Sequence, residues 1–207
     1  MRSERSGRVA GVLLAAGSSR RMGSNKLLLS FEGETLLRRS ARRAAAAGLS
    51  PVVVVLGHEA DRAAAELAGL SLVVVVNPDH ARGMNGSIRA GVRAVPEDAA
   101  AAVILLADMP LVTPAMVGRV VERFREGGAR IVAATYGDVA APPLLYDRSL
   151  FPELGDLDGD GCGKRVLKKH REEAATVALP PEALLDLDEP GDYDRARGHA
   201  GGGGPPS

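Results

Sequence analysis

Three basic residues, Arg20, Arg21 and Lys26, follow a run of small ones in Leu14-Ala15-Ala16-Gly17-Ser18-Ser19-Arg20-Arg21-Met22-Gly23-Ser24-Asn25-Lys26. Glycines let backbone N–H groups come close to an anion, and successive N–H groups form an anion-binding nest. Arg21 can fork two phosphate oxygens and Lys26 adds a compact charge, so the segment suits a polyphosphate. The spacing is neither G-x-x-x-x-G-K-[ST] nor G-x-G-x-x-G. The same residues also suit a tight connection that ends in a solvated basic stretch.

Further candidates lie beyond other apolar runs. In Leu105-Leu106-Ala107-Asp108-Met109-Pro110 a single carboxylate follows a strand-like run. Mg2+ takes one or two carboxylates together with phosphate oxygens and water, so one aspartate is a sensible protein contribution; a turn-capping aspartate is the competing reading. Asp186-Leu187-Asp188-Glu189-Pro190-Gly191-Asp192-Tyr193 offers Asp188 as a second ligand or as a helix cap before Pro190. Asn77-Pro78-Asp79-His80-Ala81-Arg82-Gly83-Met84-Asn85-Gly86-Ser87 links an apolar run to a helical pattern and contains Asn77, Gly83 and Ser87 as polar or close-approach positions. Ser87 could also cap that helix. The stretch Asp156 to Gly161 mimics the start of a calcium loop, but position twelve is Leu167 instead of the bidentate glutamate. Cys162 reads as a packed small residue, and His58, His80, His170 and His199 as surface or structural histidines with no metal-ligand spacing.

Taken together, these segments resemble the signatures of the molybdenum-cofactor cytidylyltransferases and their relatives among the MobA-like nucleotidyltransferases. The first run matches LAAGxSxRMGxxK, and Leu106 to Pro110 matches LxDxP. Gly83-Met84-Asn85-Gly86-Ser87 departs from G-M-G-x-S at Asn85. Leu157 to Lys164 resembles L-x-G-D-x-G-A-R with Cys162 and Lys164 substituted, and Asp186 to Tyr193 resembles D-x-D-x-P-x-D-Y. The resemblance implies a Mg2+-dependent transferase that moves a nucleoside monophosphate from CTP to molybdopterin-bound molybdenum and releases pyrophosphate. It implies that Leu14, Ala15 and Ala16 border the base. Gly17, Ser18, Ser19, Arg21, Met22 and Gly23 would wrap the triphosphate, with Arg21 and Lys26 on its phosphates. Asp108 and Asp188 would bind the metal, Asn77, Gly83 and Ser87 would serve the base and sugar, and Leu157 to Lys164 would lie near the acceptor. CTP is favoured over GTP because guanylyl-transferring relatives tend to carry glycine where Ala16 stands. A GTP-using or sugar-phosphate transferase, and a non-catalytic maturation protein that binds the cofactor, are the alternatives. An apo molybdenum hydroxylase is the possible protein partner.

The elements that must hold these residues follow from periodicity. Runs apolar on both faces occur at Val9 to Ala15, Val52 to Leu56, Leu72 to Val76, Val103 to Ala107 and Ile131 to Ala134, and read as buried parallel strands. Helical spacing occupies Thr35 to Ala47, where Leu36, Leu37, Ser40, Ala41 and Ala44 share a face and Gly48 follows, and also Ala60 to Leu67, Ser87 to Val95 and Pro114 to Arg125, with Thr113 as cap. Alternation of this kind predicts a doubly wound, mostly parallel α/β sheet with helices on both faces, a Rossmann-like nucleotidyltransferase fold with ligands beyond the carboxyl ends of the strands. After Ala140 the pattern loosens into Pro142-Pro143, an acidic loop and the apolar Ala174 to Leu179; a small antiparallel excursion over the site is expected there.

With 207 residues, 26 Lys plus Arg and 26 Asp plus Glu, the chain suits one domain over residues 1–198 and carries no electrostatic footprint for nucleic acid or an anionic membrane. A single cysteine points to the reducing cytoplasm. The Arg2, Arg5, Arg8 and Val9 to Ala16 stretch imitates a signal peptide, but that run is needed as the first strand. Residues 199–207 read as a disordered glycine and proline tail.

Overall fold

A computed structural model of the chain describes residues 7–17, 25–185 and 192. Nine strands are present among them: β1 (Arg8–Ala15), β2 (Ser30–Phe31), β3 (Glu34–Thr35), β4 (Val52–Leu56), β5 (Val73–Val76), β6 (Ala99–Leu106), β7 (Ile131–Tyr136), β8 (Val139–Asp147) and β9 (Ala174–Ala178). Six α-helices accompany them: α1 (Leu36–Ala46), α2 (Ala60–Glu66), α3 (Met84–Arg93), α4 (Pro114–Arg125), α5 (Phe151–Gly155) and α6 (Lys164–Lys169). Seven strands form one sheet in the order β5-β4-β1-β6-β8-β7-β9, and β2 and β3 pair as a separate hairpin. The sheet is mostly parallel, as expected, with β8 alone running against its neighbours.

The apolar runs become strands because the sheet is covered twice. One face carries Val9, Leu13, Val54 and Val103 against Leu37, Ala41, Val117 and Val120 of α1 and α4. The other carries Val12, Val53, Val55 and Ile104 against Ile88 and Val92 of α3, with Leu154 and Val166 of α5 and α6. A strand buried on both sides has no polar alternation, which is why β1, β4, β6 and β7 read as continuous valine, leucine and alanine; β5 departs from the expected burial, because it lies at the sheet edge with Val73, Val74 and Val76 exposed. The helix ends follow local chemistry. Thr35 and Thr113 accept the backbone N–H groups of Arg38 and Met116, Pro114 opens α4, and Gly48, at φ 76°, takes the left-handed backbone that ends α1.

Where α3 crosses the sheet there is no room for a side chain at Gly91. A Cβ there would lie 2.3 Å from Val12 Cγ1 and 3.1 Å from Val55 Cγ2, and both valines are stiff, fully buried and β-branched. Gly91→Ala is therefore expected to destabilise the fold by about 1–3 kcal/mol of overpacking, outweighing the roughly 1 kcal/mol that alanine gains in a helix. Urea unfolding is the check: a lower midpoint at unchanged slope is expected, and an unchanged or higher midpoint would remove this account of the seam.

The region after Ala140 differs from expectation. The antiparallel segment is no excursion over the site: β8 turns back at Gly137 and inserts between β6 and β7, in the middle of the sheet. Its Pro142 and Pro143 fall where the β7–β8 register shifts, between the pairs Ala134↔Ala141 and Ala133↔Leu144. Proline lacks the ladder donor, and a register break is where a strand tolerates it. No helix among the described residues is long and apolar enough to cross a membrane.

Candidate functional site

From β1 the chain winds outward through β4 to β5, then returns past β1 to form β6. The direction of winding reverses between β1 and β6, so a crevice opens there at the carboxyl ends of the two strands. Pairing is in step at that edge: Ala15 lies beside Leu56, Leu56 beside Val76 and Leu14 beside Leu106. The segments that follow, from Ala16, Gly57, Asn77 and Ala107, consequently leave the sheet side by side.

Lys26 reaches this edge by way of Asn25. The buried Asn25 amide accepts the Leu27 N–H at 3.2 Å and donates to the His58 carbonyl at 3.3 Å, fixing the turn Lys26–Leu28 to the end of β4. Leu27 anchors that turn in the core. From there Lys26 Nζ lies 2.7 Å from Asp108 Oδ2, with side-chain exposures of 11% and 24%. Asp108 is held from both sides. Ala107 donates its N–H to the Leu14 carbonyl at 3.1 Å and accepts the Ser40 hydroxyl at 2.8 Å. Arg43 donates to the carbonyls of Pro110 and Val112 just beyond. Burial, helped by the nearby Arg39 charge, depresses the Arg43 guanidinium below its ordinary value; arginine nevertheless stays charged at neutral pH.

Next to them, Leu14, Ala15 and Ala16 are buried. A Cβ at Gly57 would sit 2.6 Å from His80 Cβ and 2.8 Å from the Ala16 carbonyl, so glycine there lets the ends of β1 and β4 approach. Asn77 accepts the Asp79 N–H at 3.1 Å and donates to the Ser87 hydroxyl at 3.0 Å. Ser87 is thus a buried member of α3 and not its cap; α3 starts at Met84, three residues before the sequence pattern suggests, with Gly83 at φ 118°. Asn85, where the sequence departs from G-M-G-x-S, is helical and buried, and its side chain binds the Leu157–Gly163 loop.

Of the sequence candidates, Lys26 and Asp108 meet directly. Leu14 and Ala15 end β1, and Ala16, Gly17, Asn77, Gly83 and Ser87 lie in segments that leave the same sheet edge. Ser18, Ser19, Arg21, Met22, Gly23 and Asp188, together with the tail at 199–207, lie outside the described residues. The supports that sequence reasoning missed are Asn25, Ser40, Arg43, Gly57 and Asn85. Two of these had left a signal, Ser40 as the polar member of an otherwise apolar helix face and Asn85 as the departure from G-M-G-x-S.

Residues 11–174 match the family described as the MobA-like NTP transferase domain. The chain belongs to that family. Among relatives of this MobA-like protein are purine catabolism protein PucB of Bacillus subtilis, 32% identical with 93% of this chain and 98% of PucB aligned, and nicotine blue oxidoreductase of Paenarthrobacter nicotinovorans, 33% identical over 79% and 82%. A probable molybdenum cofactor guanylyltransferase of Opitutus terrae is 32% identical over 91% and 95%. The crystal structure of Rv0371c from Mycobacterium tuberculosis superimposes with a TM-score of 0.83 at 31% identity, covering 92% of this MobA-like chain and 97% of the other. The same mycobacterial protein has been crystallised with manganese; that complex gives a TM-score of 0.77 at 29% identity, over 91% and 97%.

Proposed function

We propose that this MobA-like protein transfers CMP from CTP to a phosphate of a molybdopterin-type molybdenum cofactor and releases pyrophosphate. The observation that carries the reading is the 2.7 Å contact of Lys26 with Asp108, a cation and a carboxylate delivered by different strands to one crevice. In the transfer an oxygen of the acceptor phosphate bonds to the α-phosphorus while the bond from that phosphorus to the bridging oxygen breaks. The electron pair leaves with pyrophosphate, and nothing is oxidised or reduced. A phosphate monoester is already anionic near neutrality, so positioning and charge neutralisation are the main demands on the protein.

The donor set suits a hard divalent cation. Asp108 offers a partly exposed carboxylate oxygen at the crevice, the contribution a hard cation takes from protein when most of its shell comes from elsewhere. Mg2+ is commonly held in this open manner, with substrate phosphates and water completing its shell. Asp108 would hold it together with Asp188, and the manganese complex of the mycobacterial relative supports divalent-metal use. When bound, the ion supplies positive charge beside the phosphates. Lys26 is proposed to hold the phosphate oxygens that gain charge as pyrophosphate departs, with Arg21 and the Gly17 to Gly23 backbone alongside. Leu14, Ala15, Ala16, Asn77, Gly83 and Ser87 are assigned to base and sugar. Residues 1–198 would act as one domain in the cytoplasm, a placement that rests on the single Cys162 and on a soluble donor, and an apo molybdenum hydroxylase would be the recipient of the product.

The Opitutus relative keeps GTP as a second reading, and the nicotine blue relative bears the name of a redox catalyst. Lys26 and Asp108 favour polyphosphate chemistry over redox, and the Ala16 methyl favours the smaller base. Pyrophosphate release with CTP and GTP, each with and without molybdenum cofactor, tests the whole reading. CTP is expected to exceed GTP by about tenfold or more, the scale of discrimination that a methyl-sized change in a pocket provides, and Ala16→Gly should narrow that ratio. A wild-type preference for GTP would overturn the donor assignment, and absence of release with either nucleotide would overturn the reaction.

A further inference from the structure

The stretch Leu157–Gly163 is held against the start of α3 by one buried carboxamide. Asn85, 3% exposed, donates through Nδ2 to the carbonyls of Asp158 at 2.9 Å and Asp160 at 3.0 Å. Its Oδ1 accepts the N–H of Gly163 at 3.2 Å, and its own backbone N–H donates to the Gly159 carbonyl at 3.0 Å. The N–H of Met84 donates to Asp160 Oδ1 at 3.0 Å. One turn further along α3, Arg89 donates to the Leu157 carbonyl at 2.8 Å and to Asp158 Oδ1 at 2.7 Å. The two segments touch so closely that a Cβ on Gly83 would fall 2.6 Å from the Gly159 carbonyl carbon and oxygen.

Such a loop needs an external brace. Gly159, Gly161, Cys162 and Gly163 all have positive φ, at 70°, 120°, 49° and 74°, so regular backbone pairing is denied to it and three glycines leave it entropically expensive to order. The Asn85 carboxamide satisfies two carbonyls and one N–H of that backbone at once. No hydrophobic residue could do this, and glycine, the common residue at this place in the resembling motif, could not either. The brace also joins Gly83 and Ser87, assigned above to the base and sugar, to the loop that runs directly into Lys164 at the start of α6, the segment that the family resemblance sets near the acceptor.

We infer that Asn85 is a positioning residue that fixes the Leu157–Lys164 loop for the phosphorylated acceptor while leaving nucleotide affinity to other groups. This rests on the transferase reading above and adds to it the residue that controls acceptor recognition. In Asn85→Ala, the KM for molybdenum cofactor is expected to rise at least tenfold while the Kd for CTP with Mg2+ stays within about twofold. Amide hydrogen exchange of residues 157–164 should quicken by a similar factor. Asp160→Ala removes an exposed carboxylate that takes the Met84 N–H at the start of α3; it should move the acceptor KM in the same direction by a smaller factor, about two- to fivefold, with only the small fall in Tm that loss of one helix-end bond brings. A working wild type beside an Asn85→Ala enzyme with unaltered acceptor KM, or faster loop exchange with no effect on that KM, overturns the role of Asn85 alone. Parallel rises in acceptor KM and CTP Kd would mark a general loss of structure and also overturn it. A wild type that releases no pyrophosphate in the presence of molybdenum cofactor rejects the transferase reading and takes the acceptor role of Asn85 with it.

Discussion

Asp108→Asn is expected to lower pyrophosphate release about a thousandfold at saturating nucleotide, with the fold intact. Asparagine keeps the shape and one carbonyl oxygen, so the hydrogen-bond acceptor facing Lys26 remains, and the Ala107 bonds to Leu14 and Ser40 that place residue 108 run through backbone. What is lost is the full negative charge. A cation held by a carboxylate and phosphates binds far less well to a neutral amide, and loss of one preorganised electrostatic contact typically removes a hundred- to thousandfold of rate. Asp108 is also partly exposed, so the stability cost should stay near that of one altered hydrogen bond, about 1 kcal/mol. The telling measurement is turnover against Mg2+ concentration. Asp108→Asn should need much more Mg2+ for half-activation, and a variant that keeps wild-type turnover at wild-type Mg2+ would remove the metal role of Asp108.

What the sequence disclosed about this centre, and what it withheld, divides along a physical line. Buried parallel strands are apolar on both faces, so β1, β4 and β6 stand out as runs, and the rule that ligands gather at their carboxyl ends places Lys26 and Asp108 near one another from the sequence alone. Thr113 and Pro114 marked α4 because an end cap is a local bond between neighbours in sequence. β8 was hidden for the opposite reason. Its prolines are permitted by a register shift against β7, a property of two strands together that no single segment displays. The short β2 and β3 hairpin has too few residues to show a period. The partners of the site's supports were equally invisible: Ser40 to Ala107, Arg43 to Pro110 and Asn85 to Asp158 each span more than 65 positions. Glycine fails as a start signal for α3 because Gly83 offers no side-chain cap, so the helix opens three residues earlier than its apolar pattern shows.

Lys26→Met should also reduce turnover by about a hundred- to a thousandfold, but with a different dependence. Methionine fills much of the volume of the lysine stem in a slot that is only 11% exposed, so the loss falls on charge. Because Lys26 is assigned to the departing phosphates, kcat should fall with little change in the Mg2+ required, the reverse of the Asp108→Asn pattern. Lys26→Arg should recover little, since a planar guanidinium is larger than an ammonium and the Asn25 bonds fix where the stem begins. The double variant is decisive. Residues that serve one transition state are strongly non-additive, so Lys26→Met combined with Asp108→Asn should be only slightly slower than the worse single variant. If the two losses instead multiplied in full, the lysine and the aspartate would be acting on separate events, and their 2.7 Å contact would be a structural ion pair with no shared part in the transfer.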